Sequence, residues 1–585
     1  MKATCAANRG SCTAVAILSF VCLSALAQDG PRLAIQSGEG GVNISWSADT
    51  TGFALESAAR LTGGWAPVPG VIGALAALPT DAERQFFRLR NATATAPSPS
   101  ALRLDYATFL GGRNEDRAHG MAVDGQGNIY LTAPVQSTDF PTTSNALKQQ
   151  FTGVFLAKLN PTNTLIYSTF LGAVGGANYA HGVAVDKKGC IYIAGNTTNP
   201  NFPTTPGAFQ RTFRGPSDAS AAHGDAFVMK LSPAGDRIIY STFLGGTGPD
   251  ICGKIAVDEE GNAYVLGATS SRDFPVTPGA FQGTYKAGDN TGHGDVFVAK
   301  LNPDGGKLVY STYIGGSGTD FYGDNMVVDA DGSVCFAGFT ASPDFPTTTN
   351  AFGGSRAGAS GAGGATDAFV ARLNPTGTAL EYASYIGGSG DEIGRTIAVD
   401  SDGNIWLAGD TTSTDFPTTS DAYGRQNQGG TDGFLAKINP RGGPLLYSSL
   451  FGGRGSDSLM LAMHRSGLLI LACRTDSADL PVTPGALYAT PSGQMDIFVA
   501  LFDPAAHTLR YGTYFGGHGS DAVAALVCQG NDLYLAGNTT SADFPVTSGA
   551  WDKTFNGGTN PWGGDAFAVK FTLTDKNGAP TPEAK

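Results

Sequence analysis

Bulky and small residues alternate in "YSTYIGG" (310–316), leaving one face apolar and the other small or polar. A period of two belongs to a half-buried β-strand. The run "TIAVD" (396–400) is almost continuously apolar before its Asp and reads as a strand buried on both faces. "DSDGN" (400–404) then turns the chain with Asp-Gly chemistry, which accommodates φ > 0. "NIWLAGDT" (404–411) returns as a third strand. After a longer loop built around "DFPTT" (415–419), a segment such as "DVFVAKLNP" (295–303) supplies the fourth. In that loop Thr-Pro-Gly is placed to open a short helical turn.

The pattern recurs. Its opening Tyr stands at Tyr106, Tyr167, Tyr240, Tyr310, Tyr382, Tyr447 and Tyr511, spaced 61, 73, 70, 72, 65 and 64 residues apart. A regular period within one chain means a repeat architecture. Four antiparallel strands in each of seven units predict an all-β fold, a seven-bladed β-propeller of four-stranded antiparallel blades. The "AVD" strand is then innermost and the Tyr strand outermost. The first copy begins with an outer strand, "LDYATFLGG" (104–112), that has no blade before it. The last copy ends after "DAFAVKFTL" (565–573) and lacks an outer strand. The N-terminal outer strand is therefore expected to join the last blade, closing a ring over 102–573 and removing exposed sheet edges.

The pattern "YSTYIGGSGxD … IAVDxxGNIYLAGxTxSxDFPTTPGAF … GDAFVAKLNPxG" closely resembles the bacterial seven-bladed β-propeller repeat family, SBBP. The resemblance covers about four-fifths of the chain. It implies an exported or cell-surface bacterial protein and names no activity.

Other patterns flank the repeats. Lys2 and Arg9, the apolar run "AVAILSFVCLSAL" (14–26) and "ALA" (25–27) together read as a secretory signal peptide over 1–27, cleaved near Ala27. The run is short for a membrane span, so a secreted or cell-surface product is expected. Short strand signals, "VNISWS", "GFALESAARL" and "RQFFRLR", predict a small fibronectin- or immunoglobulin-like β-sandwich module over 28–90. A Thr/Ser/Pro/Ala-rich linker (91–101) and a polar tail (574–585) complete the chain.

Gly makes up 82 of 585 residues, about twice average usage, as many tight turns require. Loss of Lys2 and Arg9 with the leader moves the formal charge from −13 to −15. Such acidity disfavours nucleic acid or anionic lipid as a partner. Five cysteines remain beyond the leader (Cys190, Cys252, Cys335, Cys473 and Cys528), without common spacing. They form neither a disulfide framework nor a zinc pattern.

Two series of acidic residues fall in loops that share one face of the ring. The first is Asp116, Asp250, Asp320, Glu392, Asp457 and Asp521, with Asn178 in the second copy. The other is Asp225, Asp295, Asp367, Asp432, Asp496 and Asp565, with Gly153 in the first copy. Carboxylates in a ring suit Ca²⁺, a cation that takes several oxygen ligands. The preferred reading is that each Asp accepts backbone N–H groups and pins its own loop, because no copy carries the D-x-[DN]-x-[DN]-G calcium loop. The Asp of each "DFP" is read as a turn cap and its Phe as an anchor between blades.

Any specific function should break the repeat symmetry. "AHGMAVD" and "AHGVAVD" place His119 and His181 at matching positions of copies one and two, where later copies have Gly253, Gly323 or Asp324, and Arg395. His119, His181, Asp324 and Arg395 are thus candidates to gather at one side of the channel mouth, around a metal ion or a polar ligand. The plainer alternative is a solvated loop position inherited by duplication, since two imidazoles make an incomplete zinc site. The remaining histidines, His223, His293, His464, His507 and His518, share no repeat position and are expected at the surface. No nucleophile elbow, H-E-x-x-H helix or phosphate loop is present.

These observations predict an exported, monomeric, non-enzymatic binding or scaffold protein whose acidic, loop-rich face contacts an extracellular protein or glycan. No cofactor is required, and Ca²⁺ stabilisation is compatible with that role. A glycan hydrolase or lyase working at the channel mouth is the alternative.

Overall fold

Each blade is one antiparallel sheet of four strands, three from one copy of the repeat and the outermost from the opening Tyr strand of the next, because alternation, Asp-Gly turns and an apolar inner run act together within about 70 residues. The computed structural model describes strands between 33 and 91 and residues 101–574, apart from 218–222, 289–293, 358–364 and 558–563. The expected signal peptide and polar tail, and most of the linker, lie outside the described residues. Two compact units divide the chain, Met1–Ala96 and Pro97–Lys585.

In the first unit Leu33–Gly38, Gly41–Trp46 and Leu75–Leu78 form one three-stranded sheet. Ala66–Pro67, Phe53–Ala58 and Phe86–Asn91 form another.

The second unit is a seven-bladed β-propeller. Its innermost strands, in blades 1 to 7, are Gly120–Val123, Asn178–Val185, Asp250–Val257, Asp320–Val328, Glu392–Val399, Asp457–Met463 and Asp521–Gln529. Blade 7 takes three strands from the C-terminal end and its outermost strand, Ala101–Leu110, from the N-terminal end. In that closure Phe567 stands opposite Phe109 and Leu573 opposite Leu102. Among the described residues there is no helix, hence none long and apolar enough to cross a membrane. The Thr-Pro-Gly stretch makes only a single turn, closed by the Ala280 N–H to the Thr277 carbonyl. One i→i+3 bond without a following partner does not propagate.

Hydrophobic packing lies between blades. One cluster joins Tyr192, Ala194 and Val228 of blade 2 to Val265, Phe297 and Phe274 of blade 3. Phe274 is the Phe of a "DFP" and packs 4.4 Å from Phe297, ring centroid to centroid. Burying one such ring stabilises the fold by about 1.5–3 kcal/mol. The accompanying Asp reaches further than its own turn: Asp273 accepts the Thr247 N–H at 2.8 Å and so ties two loops together. The five described cysteines are unpaired. His464 departs from the surface position expected for it. It is buried and meets Ser466 Oγ at 2.7 Å and Asn531 Oδ1 at 3.2 Å, linking blades 6 and 7.

Candidate functional site

The acidic series that opens the inner strands is buried. Asp116, Asp250, Asp320, Glu392, Asp457 and Asp521 have no exposed surface. Asp250 Oδ2 accepts the Gly246 N–H at 2.8 Å and the Ser271 hydroxyl at 2.9 Å, and its Oδ1 accepts the Thr269 hydroxyl. Asp320 repeats this arrangement with Gly316, Ser342 and Thr340. Glu392 does so with Gly388, Ser413 and Thr411, its longer side chain serving the same donors.

The second series lies close by. A Cβ at Gly245 would meet both Asp225 and Asp250, and one at Gly315 both Asp295 and Asp320, so at these interfaces a carboxylate of one blade lies near one of the next beside the Gly-Gly dipeptide. Burial pushes Asp225 and Asp295 up to about 6 and Asp320 up to about 7. Asp565, facing Asp116 where the ring closes, is also pushed up to about 7 by burial. These are carboxyl pairs inside the blade interfaces, and they are not presented to a partner.

The second candidate set does converge. His119, His181, Asp324 and Arg395 line one cavity of about 360 Å³ at the inner strands. Lys254, Arg474, Ser458, Phe321 and Tyr322 line it too, and none of the five is among the residues expected from the sequence.

The backbone builds this cavity through β-bulges. In blades 2, 3, 5 and 7 the inner ladder skips one residue: His181, Gly253, Arg395 and Ala524 respectively. In blade 4 it skips from Tyr322 to Met326. A bulge re-aims side chains and bends its strand. Here the bent strand brings a carbonyl oxygen against the neighbouring strand, where Gly195, Gly267, Gly338, Gly409 and Gly537 stand. A Cβ at any of these five would collide with that oxygen. Blade 6 has Cys473 at this position, and its inner strand pairs without a skip. Sequence difference and backbone difference thus coincide.

Gly253 has a further use. Lacking a side chain, it leaves room for the Tyr322 ring from blade 4, which would overlap any Cβ there. Tyr322 in turn stacks on Phe321, with centroids 4.4 Å apart and planes at 24°.

The charges form a chain around the cavity. Lys254 Nζ lies 4.0 Å from Asp324, and Arg395 lies 3.4 Å from the other oxygen of Asp324. Arg395 Nε also donates to Asp410 at 2.5 Å. Asp410 additionally accepts the Ser458 hydroxyl at 3.1 Å and the Leu459 N–H at 3.0 Å. Arg474, the next polar group round, makes no side-chain hydrogen bond or ion pair among the described residues. Burial and the neighbouring Arg395 push its guanidinium down.

The histidine rings are nearly parallel, 5.6 Å apart at 13°. Burial, Lys254 and Arg117 push His119 down to about 4. Burial, His119 and Lys254 push His181 down to about 3. Both imidazoles are therefore neutral near pH 7. Asn196 directs its Nδ2 to His223 Nδ1 at 3.2 Å and its Oδ1 to His181 Nε2 at 3.3 Å. With the amide so oriented, His181 carries its proton on Nε2. Among the described residues no three His, Cys, Asp or Glu side chains form a group able to hold a metal ion.

A charged residue within an apolar strand was the signal for the missed groups. Lys254 interrupts "ICGKIAVD" (251–258) and Arg474 interrupts "LILACRTD" (469–476).

Residues 166–203, 239–275 and 381–417 match the family model of SBBP, the β-propeller repeat. No curated protein matches the chain. Among solved structures, hydrazine synthase of Kuenenia stuttgartiensis is 11% identical over 73% of this chain and 92% of its own, with a TM-score of 0.39. Quinohemoprotein alcohol dehydrogenase of Comamonas testosteroni is 10% identical over 83% and 78%, with a TM-score of 0.40. A protein of unknown function from Dyadobacter fermentans is 10% identical over 81% and 99%, at 0.36. Similarity this low carries no chemistry over to the present chain.

Proposed function

We propose that this seven-bladed propeller of SBBP repeats is an exported binding protein that seats a small polar ligand at the mouth of its central channel. One observation carries the reading. The polar residues that differ from blade to blade meet in a single cavity, while the residues that repeat are consumed in holding blades together. A ring built of identical units offers its centre equal access to every inner strand, so unequal side chains there make one asymmetric site. The buried inner-strand carboxylates of the loop face do not carry recognition in this reading.

His119→Ala tests the proposal. His119 stacks on His181 and makes no side-chain hydrogen bond among the described residues, so truncation leaves no buried group unpaired. In a calorimetric screen of small polar molecules, wild type should bind at least one. The variant should bind it tenfold or more weakly, with a melting temperature within about 2 °C of wild type. Undiminished binding by the variant would move the site to the outer loops.

A further inference from the structure

Arg474 stands in the cavity with no carboxylate at ion-pair distance among the described residues, beside an Arg395 already committed to Asp324 and Asp410. Three cations, Lys254, Arg395 and Arg474, face two carboxylates, Asp324 and Asp410, which leaves one positive charge over. The chain as a whole carries −13. An excess cation lining a cavity favours an anionic ligand, and a guanidinium offers a carboxylate two parallel N–H donors.

The remaining lining limits what that anion is attached to. Phe321 and Tyr322, stacked on each other, add aromatic surface to the lining. Such a surface takes the flat face of a ring. Neutral His119, together with Ser458, supplies hydrogen-bonding groups near the same space. A water's share of liquid volume is about 30 Å³, so 360 Å³ holds roughly a dozen waters, or a ligand of about that many heavy atoms.

Building on the channel-mouth reading above, we infer that the ligand is a carboxylate carried on a six-membered ring, its carboxylate on Arg474 and its ring against Phe321 and Tyr322. Acidic monosaccharides and aromatic carboxylates share this chemistry. The polar groups of the lining favour the sugar acid.

The test is isothermal titration calorimetry of the full chain with glucuronate, benzoate, glucose and inorganic phosphate. Glucuronate should bind at least tenfold more tightly than glucose, which has the ring without the carboxylate, and than phosphate, which has charge without the ring. Benzoate tighter than glucuronate would assign the ring as aromatic and keep the shared chemistry. Arg474→Gln should bring the glucuronate-to-glucose ratio down towards one. Lys254→Gln, should Arg474→Gln fail to fold, should lower the same ratio. Glucose binding as well as glucuronate, or a ratio unchanged in a folded variant, would overturn the carboxylate. Phosphate as tight as glucuronate would overturn the ring. If glucose binds and His119→Ala weakens it, the channel reading stands and only the carboxylate falls. If none of the four binds, the ring carboxylate falls; the broader screen with His119→Ala then decides the channel reading separately.

Discussion

The blade interfaces and the channel cavity both collect charged side chains, but on opposite terms. At the interfaces Asp250, Asp320 and Glu392 spend their oxygens on N–H and O–H donors of the same repeat unit, and each unit does this again. In the cavity His119, Lys254, Asp324, Arg395 and Arg474 come from five different blades, and only blades 1 and 2 contribute alike, through His119 and His181. The interface between blades 1 and 2 sharpens the contrast. There Asn178 replaces the inner Asp and donates to the Thr152 and Ala173 carbonyls at 2.8 and 3.0 Å, and the facing carboxylate is gone as well, with Gly153 in its place. A donor needs no acid partner, and the pair changes as a unit. Repetition marks what every blade needs to pack, and departure from it marks where the protein differs from its own template.

The largest effect expected from this contrast is on stability. Asp320→Ala would strip the Gly316 N–H and the Thr340 and Ser342 hydroxyls of their buried acceptor. An orphaned buried donor costs about 1–3 kcal/mol, so the loss should reach about 3 kcal/mol or more. Denaturant unfolding would register it. Arg474→Gln, by contrast, should move stability by less than about 1 kcal/mol. Equal losses would dissolve the distinction between the two regions.

The second effect is on pH dependence. Folding raises Asp225 and Asp295 to about 6 and Asp320 and Asp565 to about 7, from 3.8. The folded state therefore holds protons that the unfolded state has released. This stabilisation is complete below about pH 4 and is lost as pH rises through about 6 to 7. The cavity runs the other way. His119 and His181 are depressed from 6.5 to about 4 and about 3, so their contribution is present above pH 6.5 and is lost as pH falls. With more raised carboxyls than depressed histidines, the melting temperature should fall overall between pH 5 and pH 8. Asp295→Asn should flatten that fall, and His119→Ala should remove part of the opposing loss on acidification. A melting temperature that rises steadily from pH 5 to 8 would contradict the interface half of the comparison.

The smallest expected effect is none at all. Each inner-strand carboxylate already accepts protein donors, so excess chelator should leave the melting temperature unchanged in a thermal shift assay. A drop restored by Ca²⁺ would instead make these carboxylates metal ligands, by mass action on the folded state.

The sequence by itself determined the number of blades, their phase and their closure. Strand alternation and Asp-Gly turns are local properties, and the unpaired outer strand at 104–112 shows which end completes which sheet. His119, His181 and Arg395 stood out because they interrupt an otherwise repeated position. Lys254 and Arg474 did not, for two different reasons. At the bulge of blade 3 the position that counting along the repeat selects is Gly253, which has no side chain, and the adjacent Lys254 lines the cavity instead. Arg474 lies on the second strand of blade 6, opposite Ser458 on an inner strand that pairs without a skip. Whether a strand bulges is decided by how closely its neighbour allows the backbone to approach, and which residues meet at the axis is decided by closing the ring. Both are properties of the assembled blades: side chains as far apart in sequence as His119 and Arg474 face one space only because seven sheets converge on it.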